Sequence, residues 1–205
     1  MTSTGESLRE RRRQQTRREI HAVALRLAQE QGFDGITVDL ISAEAGVSPR
    51  TFFNYFPNKE AAVLPGPPAE LPQALTAEFV SRGDAHPREV LADLTRLLVR
   101  DLTDNPPLRQ ETHAAFALTR SHPALLATML ARFDGFRRSI AELVARRLGA
   151  RPEGEVPTLI AALALTVMRD GLERWANEES PSDEDDSPVP HVERSAKLLL
   201  SLLTP

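Results

Sequence analysis

An all-α fold is predicted by three features of the sequence. Apolar residues recur at spacings of three and four from Leu8 to Leu203, prolines and glycines interrupt this pattern at intervals, and no segment alternates apolar with polar residues as a strand would. The chain has 205 residues, of which 41% are hydrophobic. That is enough to bury a substantial core in one large domain, or in a small domain joined to a larger one.

The first helix is predicted to run from Leu8 to Gln31, where Gly32 closes it. Its apolar stripe becomes clear only at Ile20, and residues 8–18 before it carry six arginines and one glutamate. An arm of this kind can lie along DNA phosphates or reach into a minor groove, releasing counterions as it binds. A solvated helix end is the alternative for the arm taken by itself.

The segment that follows predicts two short helices joined by a tight turn. Thr37 and Ser48 are suited to cap their amino termini, and Pro49 suits the first position of the second helix because no amide hydrogen is needed there. Gly46 falls where the first helix must end in a left-handed conformation, which glycine adopts without a Cβ penalty. Capped helix, glycine turn and capped helix together describe a helix-turn-helix.

The second short helix, residues 49–56, has an inner and an outer face. Phe52 and Phe56 are spaced i, i+4 and are expected to point inward with Val47. The side chains left facing outward are Arg50, Thr51, Phe53, Asn54 and Tyr55. An exposed helix with such side chains suits the major groove of DNA, which is about 12 Å wide. An ordinary helical hairpin is the alternative, but exposed aromatic side chains usually have a partner.

These residues resemble the DNA-binding domain of TetR-type transcriptional regulators over about residues 12 to 63. The residues that carry the resemblance are Thr37, Ala43, Ala45-Gly46-Val47-Ser48, Thr51-Phe52-Phe53, Tyr55-Phe56 and Asn58-Lys59-Glu60. The resemblance implies an N-terminal helix-turn-helix three-helix domain and a C-terminal helical ligand-binding and dimerisation domain. With the helix-turn-helix beside it, the arginine arm is interpreted as a DNA contact.

The expected DNA-binding residues are Thr37, Ser48, Arg50, Thr51, Phe53, Asn54, Tyr55 and Lys59. Arg50 and Asn54 are best suited to base edges, because arginine pairs with guanine and asparagine with adenine. Thr37 and Lys59 are assigned to phosphate, the latter because the resemblance implies it, although Lys59 can also be an ordinary surface charge. Phe53 stands where the family often has a phosphate-binding tyrosine, so it keeps ring contacts, for example to a thymine methyl, without the hydroxyl bond.

The strongest break in the chain is PGPP, Pro65 to Pro68. It lies where the family's linking helix normally continues, so that helix is expected to be short or interrupted. We place the domain boundary here and call residues 1–63 the head and residues 64–205 the body. The body is predicted to contain helices at 71–82, 87–103, 108–120, 123–148, 156–177 and 191–203. An acidic loop is predicted from Glu178 to Pro190.

Charge and composition exclude several classes of protein. The net charge is −4, but residues 1–65 carry +1 and the remainder −5, so the acidity lies outside the head. There is no cysteine, no apolar run long enough to span a membrane and no secretory signal, and we expect a cytoplasmic protein. The five histidines have no metal spacing, and no catalytic or cofactor motif is present. We therefore expect no enzyme, metal or cofactor.

The size of the body and the resemblance together imply a pocket for a small-molecule effector. The candidate lining residues are His113, Phe116, Met129, Phe133, Phe136, Met168 and Trp175. Each is also typical of ordinary core, and His113 of a hydrogen-bonded core histidine. Few charges interrupt the apolar stripes, so the effector is expected to be apolar or amphipathic, with a fatty acyl thioester as one candidate. An acidic group at one end of such an effector can pair with Arg120, Arg132 or Arg137.

The expected function is that of a ligand-responsive regulator, a repressor released from a pseudo-palindromic operator. A homodimer is expected, because in the resembled family the last two helices pair with their copies. The last helix also has more apolar surface than one packing face needs, at Leu198, Leu199, Leu202 and Leu203. The alternatives are a helical interaction module that no longer binds DNA, and a constitutive DNA-binding protein without effector sensing.

Overall fold

The computed structural model describes residues 8–64, 71–178 and 186–202, with side chains from residue 11 onward. Within these ranges every regular element is helical, which confirms the predicted fold class. The helices are α1 (Leu8–Gln31), α2 (Val38–Glu44), α3 (Pro49–Phe53), α4 (Lys59–Val63), α5 (Gln73–Ser81), α6 (Pro87–Asp104), α7 (Arg109–Ser121), α8 (Pro123–Leu148), α9 (Glu155–Ala176) and α10 (Val189–Leu202), with one turn of 3₁₀ helix at Phe33–Gly35 between α1 and α2.

The chain divides into two compact units. The first comprises Met1–Pro65 and Ala114–Met129, and the second comprises Gly66–His113 and Leu130–Pro205. The helices α7 and α8 therefore contribute residues to both units. The domain boundary between residues 63 and 64 stays a prediction, and the PGPP break at 65–68 lies outside the described residues.

The caps that the sequence predicts at Thr37 and Ser48 form, and Asn58 caps α4 in the same way. Thr37, Ser48 and Asn58 each accept a hydrogen bond from the amide three residues later, with side-chain oxygen to nitrogen distances of 3.2, 3.0 and 2.8 Å. Gly46 adopts the left-handed conformation with φ of 65°, and Gly32 does the same at the end of α1 with φ of 77°. Local chemistry thus sets where α1 and α2 end and where α2, α3 and α4 begin.

The α3 helix is shorter than predicted, because regular α-helix ends at Phe53 instead of Phe56. The chain continues in a tighter turn, in which the amides of Tyr55 and Phe56 both donate to the carbonyl of Phe52 at 2.9 Å. Pro57 explains the early end, since it has no amide hydrogen and cannot continue the helix. The i, i+4 relation of Phe52 and Phe56 nevertheless persists through the turn.

Each unit has its own buried apolar side chains. In the first unit they come from α1, α3 and the segments around them, with Ile20, Phe52 and Phe56 all 2% exposed or less. In the second unit α5, α6, α8 and α9 surround a core that includes Leu94 of α6 and Val144 of α8.

The last two helices of the second unit pack in close contact at Gly171. A Cβ built on this residue would lie 2.5 Å from the Cα of Val192 on α10, so only glycine permits the approach. The Ser195 hydroxyl donates to the Asp170 carboxylate at 2.6 Å beside this contact. Helix α10 begins at Val189, within the predicted loop, because Pro190 is tolerated in a first helical turn. Residues 179–185 of that loop lie outside the described residues.

We expect Gly171→Ala to destabilise the second unit, because the added methyl overlaps the backbone of α10. Overpacking of this kind typically costs about 1–3 kcal/mol, which outweighs the gain of up to about 1 kcal/mol from replacing a helical glycine. Gly135→Ala on α8 is the matched control, because its methyl would meet no atom within 4 Å beyond the adjoining backbone of its own helix. Urea unfolding should show a lower midpoint for the first variant and an equal or higher one for the control. Equal midpoints in both variants would contradict the close packing.

Candidate nucleic-acid interface

The helix α3 and the two residues that follow it carry five of the eight residues predicted to contact DNA, namely Arg50, Thr51, Phe53, Asn54 and Tyr55. Arg50 and Asn54 are exposed, and Phe53 is 56% exposed, although its ring also meets the edge of Phe52 at 5.5 Å between centroids. The predicted DNA-binding residues differ in their exposure to solvent, since Thr51 and Tyr55 are half-buried. A polar and aromatic surface therefore remains accessible along α3 and at Asn54, which follows it.

The cap residues Thr37 and Ser48 can still form hydrogen bonds to a ligand. The hydroxyl oxygen of Thr37 accepts the first-turn amide of α2, which leaves its O–H free to donate elsewhere. The hydroxyl groups of Ser48 and Thr51 lie 2.9 Å apart, so one of them donates to the other. These groups stand at the amino-terminal ends of α2 and α3, where unpaired amides favour an anion such as phosphate.

Arg17 of α1 lies against the far end of α3. Its Nη1 donates to the carbonyl oxygen of Tyr55 at 2.9 Å, and its guanidinium carbon lies 4.5 Å from the centroid of the Phe56 ring. Partial burial, and to a lesser extent the like charge of Arg13, lowers the pKa of Arg17 below its usual range. Arginine nevertheless stays protonated in proteins. The sequence did not identify this contact, because it joins residues far apart in the chain.

Lys59 is directed toward the backbone before α2. Its Nζ donates to the carbonyl oxygens of Phe33 and Ile36 at 3.0 and 2.9 Å and lies 4.5 Å from the centroid of the Phe33 ring. Two of its three N–H donors are thereby used inside the protein. The predicted phosphate contact remains a prediction, and only the third donor is available for it.

The arginine arm lies on the exposed amino-terminal part of α1. Four arginines in the described part of the arm have exposed side chains in addition to Arg17: Arg11, Arg12, Arg13 and Arg18. Their positive charge precedes the buried stripe that starts at Ile20. An exposed helical stretch of this composition can bind a phosphate backbone without reading its sequence.

The residues predicted to line an effector pocket are placed in different surroundings. Phe116 and Met129 are buried and fall within the first unit, whereas the other five fall within the second. Trp175 is 1% exposed and its Nε1 donates to Asp186 at 2.9 Å. The Nδ1 of His113 is hydrogen-bonded to the carbonyl oxygen of Ala176 at 3.0 Å. Phe133, Phe136 and Met168 are half-buried. Their role as ligand contacts stays a prediction.

A surface groove in the second unit was not predicted. It lies between α5 and α6, has a volume of about 200 Å³ and is lined by Leu75, Glu78, Phe79, Arg82, Asp93, Arg96, Leu97 and Arg100. Its charges are already engaged, because Arg82 and Arg96 both pair with Asp93, and Glu78 pairs with Arg82 and Arg100. None of the predicted lining residues belongs to this groove, and of the predicted arginines Arg137 pairs with Asp134 on its own helix.

The described residues were compared with the requirements of a metal site and of a membrane span. They contain no group of three or more side chains placed to hold a metal ion. None of the helices in these ranges is both long enough and apolar enough to cross a membrane.

Comparison with known proteins finds a family match in both parts of the chain. Residues 20–64 match the model of the bacterial regulatory proteins of the tetR family, and residues 88–187 match the MftR C-terminal domain. The chain is 30% identical over 175 residues to the putative mycofactocin biosynthesis transcriptional regulator MftR of Mycobacterium tuberculosis, which covers 84% of this chain and 85% of that protein.

Two further similarities agree with this placement. The HTH-type transcriptional regulator TcmR of Streptomyces glaucescens is 28% identical over 179 residues, which cover 85% of this chain and 79% of TcmR. A crystal structure of a putative TetR-family regulator from Syntrophomonas wolfei covers 93% of this chain and 95% of its own with a TM-score of 0.54, and at 16% identity it supports the fold alone. On the sequence matches, the chain belongs to the TetR family of bacterial transcriptional regulators.

Proposed function

We propose that the protein is a homodimeric repressor that reads a pseudo-palindromic operator and is released from it by a small apolar or amphipathic effector. The observation that carries the DNA-binding part is the outward surface of α3. Phe52 on its inner side and Phe56 in the turn that follows are 0% and 2% exposed, so the opposite side of the helix is left to solvent. Membership of a family of transcriptional regulators supports a DNA duplex as the partner.

The residues on this surface divide into those that read bases and those that bind the backbone. Arg50 and Asn54 are assigned to base edges, because their exposed side chains can make paired hydrogen bonds to guanine and adenine. Phe53 supplies apolar contact, for example to a thymine methyl. Thr51 and Tyr55 are half-buried and are assigned to the edge of the interface. Thr37 and Ser48 are assigned to phosphate, beside the helix-end amides.

An exposed apolar surface on α9 and α10 supports the homodimer. Leu159 of α9 is 60% exposed, and Leu198 and Leu202 of α10 are 57% and 73% exposed. Leu199 is half-buried, and Leu203 lies outside the described residues. Leucines that are this strongly exposed, on two helices that pack together, are suited to an isologous contact with a second copy of the chain. Two heads would then meet half-sites about one DNA turn apart.

The effector part of the proposal is supported by the size and composition of the second unit. Its half-buried Phe133, Phe136 and Met168 side chains can adapt to an apolar ligand. A ligand that prefers one conformation of the second unit shifts the population toward it, and by reciprocity DNA weakens ligand binding as much as ligand weakens DNA binding. A constitutive DNA-binding protein without this response is the alternative.

The base-reading assignment predicts a loss of selectivity in Arg50→Ala and Asn54→Ala. Each change should reduce the preference for an operator over a scrambled duplex by about 1–3 kcal/mol, because one paired base contact is lost. Fluorescence anisotropy on both duplexes at several salt concentrations measures it. Arg138→Ala on α8 is the control, because this arginine is also exposed and pairs with Asp134 outside the head. Unchanged selectivity in both head variants would refute the assignment.

The homodimer predicts that Leu159→Glu with Leu202→Glu converts a dimer into a folded monomer, because charges would be buried without partners at the contact. Sedimentation equilibrium at micromolar concentration should show about half the wild-type mass, with helical circular dichroism retained. Leu108→Glu is the matched control, since Leu108 is 64% exposed but lies outside α9 and α10. A wild-type protein that is monomeric in this experiment would rule out the homodimer.

The effector hypothesis predicts that an apolar or amphipathic compound both raises the melting temperature and releases DNA. A thermal-shift screen should include a medium-chain acyl thioester, the matching free fatty acid and neutral apolar drugs. A compound that stabilises the protein at 100 times its Kd should contribute about 2.7 kcal/mol. The same compound should reduce operator binding in anisotropy. If no compound that stabilises the protein releases DNA, the constitutive alternative is favoured.

A further inference from the structure

We propose that Arg17 is a positioning residue that orients α3 for base reading, in contrast to the neighbouring arginines of the arm, which bind phosphate. The proposal rests on the DNA-binding function above. The sequence alone assigns the same DNA contact to all arginines of the arm, whereas the proposal gives Arg17 a different role. It also adds a residue of α1 to the determinants of sequence selectivity, although this residue need not touch a base.

The two ends of α3 are held by different contacts. The helix has five residues, so its direction depends on how each end is held. Its amino terminus is held by the Ser48 cap. Beyond its carboxyl terminus, the carbonyl of Tyr55 accepts the hydrogen bond from Arg17 at 2.9 Å. Carbonyl groups in the turn that ends a helix lack intrahelical partners, and the Arg17 N–H supplies one to this carbonyl.

Arg17 also contacts an aromatic ring beneath the same end of α3. The Arg17 guanidinium lies over Phe56, which is 2% exposed and packs against Phe52 with 5.9 Å between ring centroids. Arg17 therefore contacts both the backbone that follows α3 and the aromatic pair that sets which side of α3 is buried. A planar guanidinium can donate in its own plane while its flat face lies on a ring, whereas the ammonium of a lysine is a point charge on a differently shaped side chain and does not reproduce this arrangement at position 17.

Another arginine of the arm provides a contrast with Arg17. Arg12 lies five residues earlier on α1, with its side chain exposed. A residue that only neutralises a phosphate contributes equally to all sequences, and its loss lowers the salt dependence of binding by about one counterion. A residue that orients the reading helix contributes to selectivity, because base contacts depend on the direction of the helix, and its loss leaves the number of neutralised phosphates unchanged.

The test compares Arg17→Ala, Arg17→Lys and Arg12→Ala with wild type. A binding selection from a random duplex pool with wild-type protein first supplies an operator, and a scrambled duplex of equal length serves as the reference. Anisotropy titrations on both duplexes across a salt series give the affinity ratio and the slope of log affinity against log salt. Thermal unfolding of each variant establishes that the head remains folded at the measuring temperature.

We expect Arg17→Ala to lower the operator-to-scrambled affinity ratio about tenfold, comparable to the loss of one paired base contact, with an unchanged salt slope. Arg17→Lys should lose most of the same ratio although its charge is kept. Arg12→Ala should show the opposite result, with an unchanged ratio and a slope smaller by about one.

Two results would overturn the proposal. Equal losses on both duplexes with a reduced slope in Arg17→Ala, together with rescue by Arg17→Lys, would make Arg17 a phosphate contact. An unchanged ratio and slope would mean that the contact with Tyr55 has no part in DNA reading. If the wild-type protein selects no sequence from the pool, the proposed function itself fails. Failure of the Arg17 proposal alone gives a different result, in which the wild-type protein selects an operator and Arg17→Ala prefers that operator over the scrambled duplex to the same extent.

Discussion

The burial of Phe52 and Phe56 beneath α3 is the constraint on which the rest of the head depends. Both rings are almost completely removed from solvent, and burying a large apolar side chain contributes about 1.5–3 kcal/mol. The helix cannot rotate without exposing them, so their burial decides that Arg50 and Asn54 face outward. The caps at Ser48 and Asn58 then hold the chain on either side of the aromatic pair.

Much of this architecture could be predicted from the sequence because the determining interactions are local. The caps join atoms three residues apart, and the glycine at the end of α2 acts through its own backbone conformation. The body helices follow in the same way from prolines at their starts and glycines after their ends, as with Pro87 for α6 and Gly149 for α8. The length of α3 was overestimated because the effect of Pro57 extends back into the last turn.

The contacts that could not be predicted are those that join distant parts of the chain. The sequence suggests a DNA contact for the arginine arm, which includes Arg17, and a phosphate contact for Lys59. Arg17 instead donates to one backbone carbonyl of a remote segment and Lys59 to two. Carbonyls left over at helix ends require donors, and an arginine or lysine within reach supplies them. Similarly, the placement of residues 114–129 in the first unit, where His122 meets the Phe33 ring edge-on at 5.4 Å, depends on tertiary packing that no local pattern records.

The DNA-binding function of the head therefore depends on whether the solvent-facing side of α3 is the side that reads DNA. The most direct measurement is a crystal structure of the protein bound to a duplex that it has selected from a random pool. The account predicts α3 in the major groove, with the Arg50 and Asn54 side chains about 2.7–3.2 Å from base-edge acceptors and donors. A complex in which α3 lies outside the groove, or in which these two side chains contact only solvent, would contradict it.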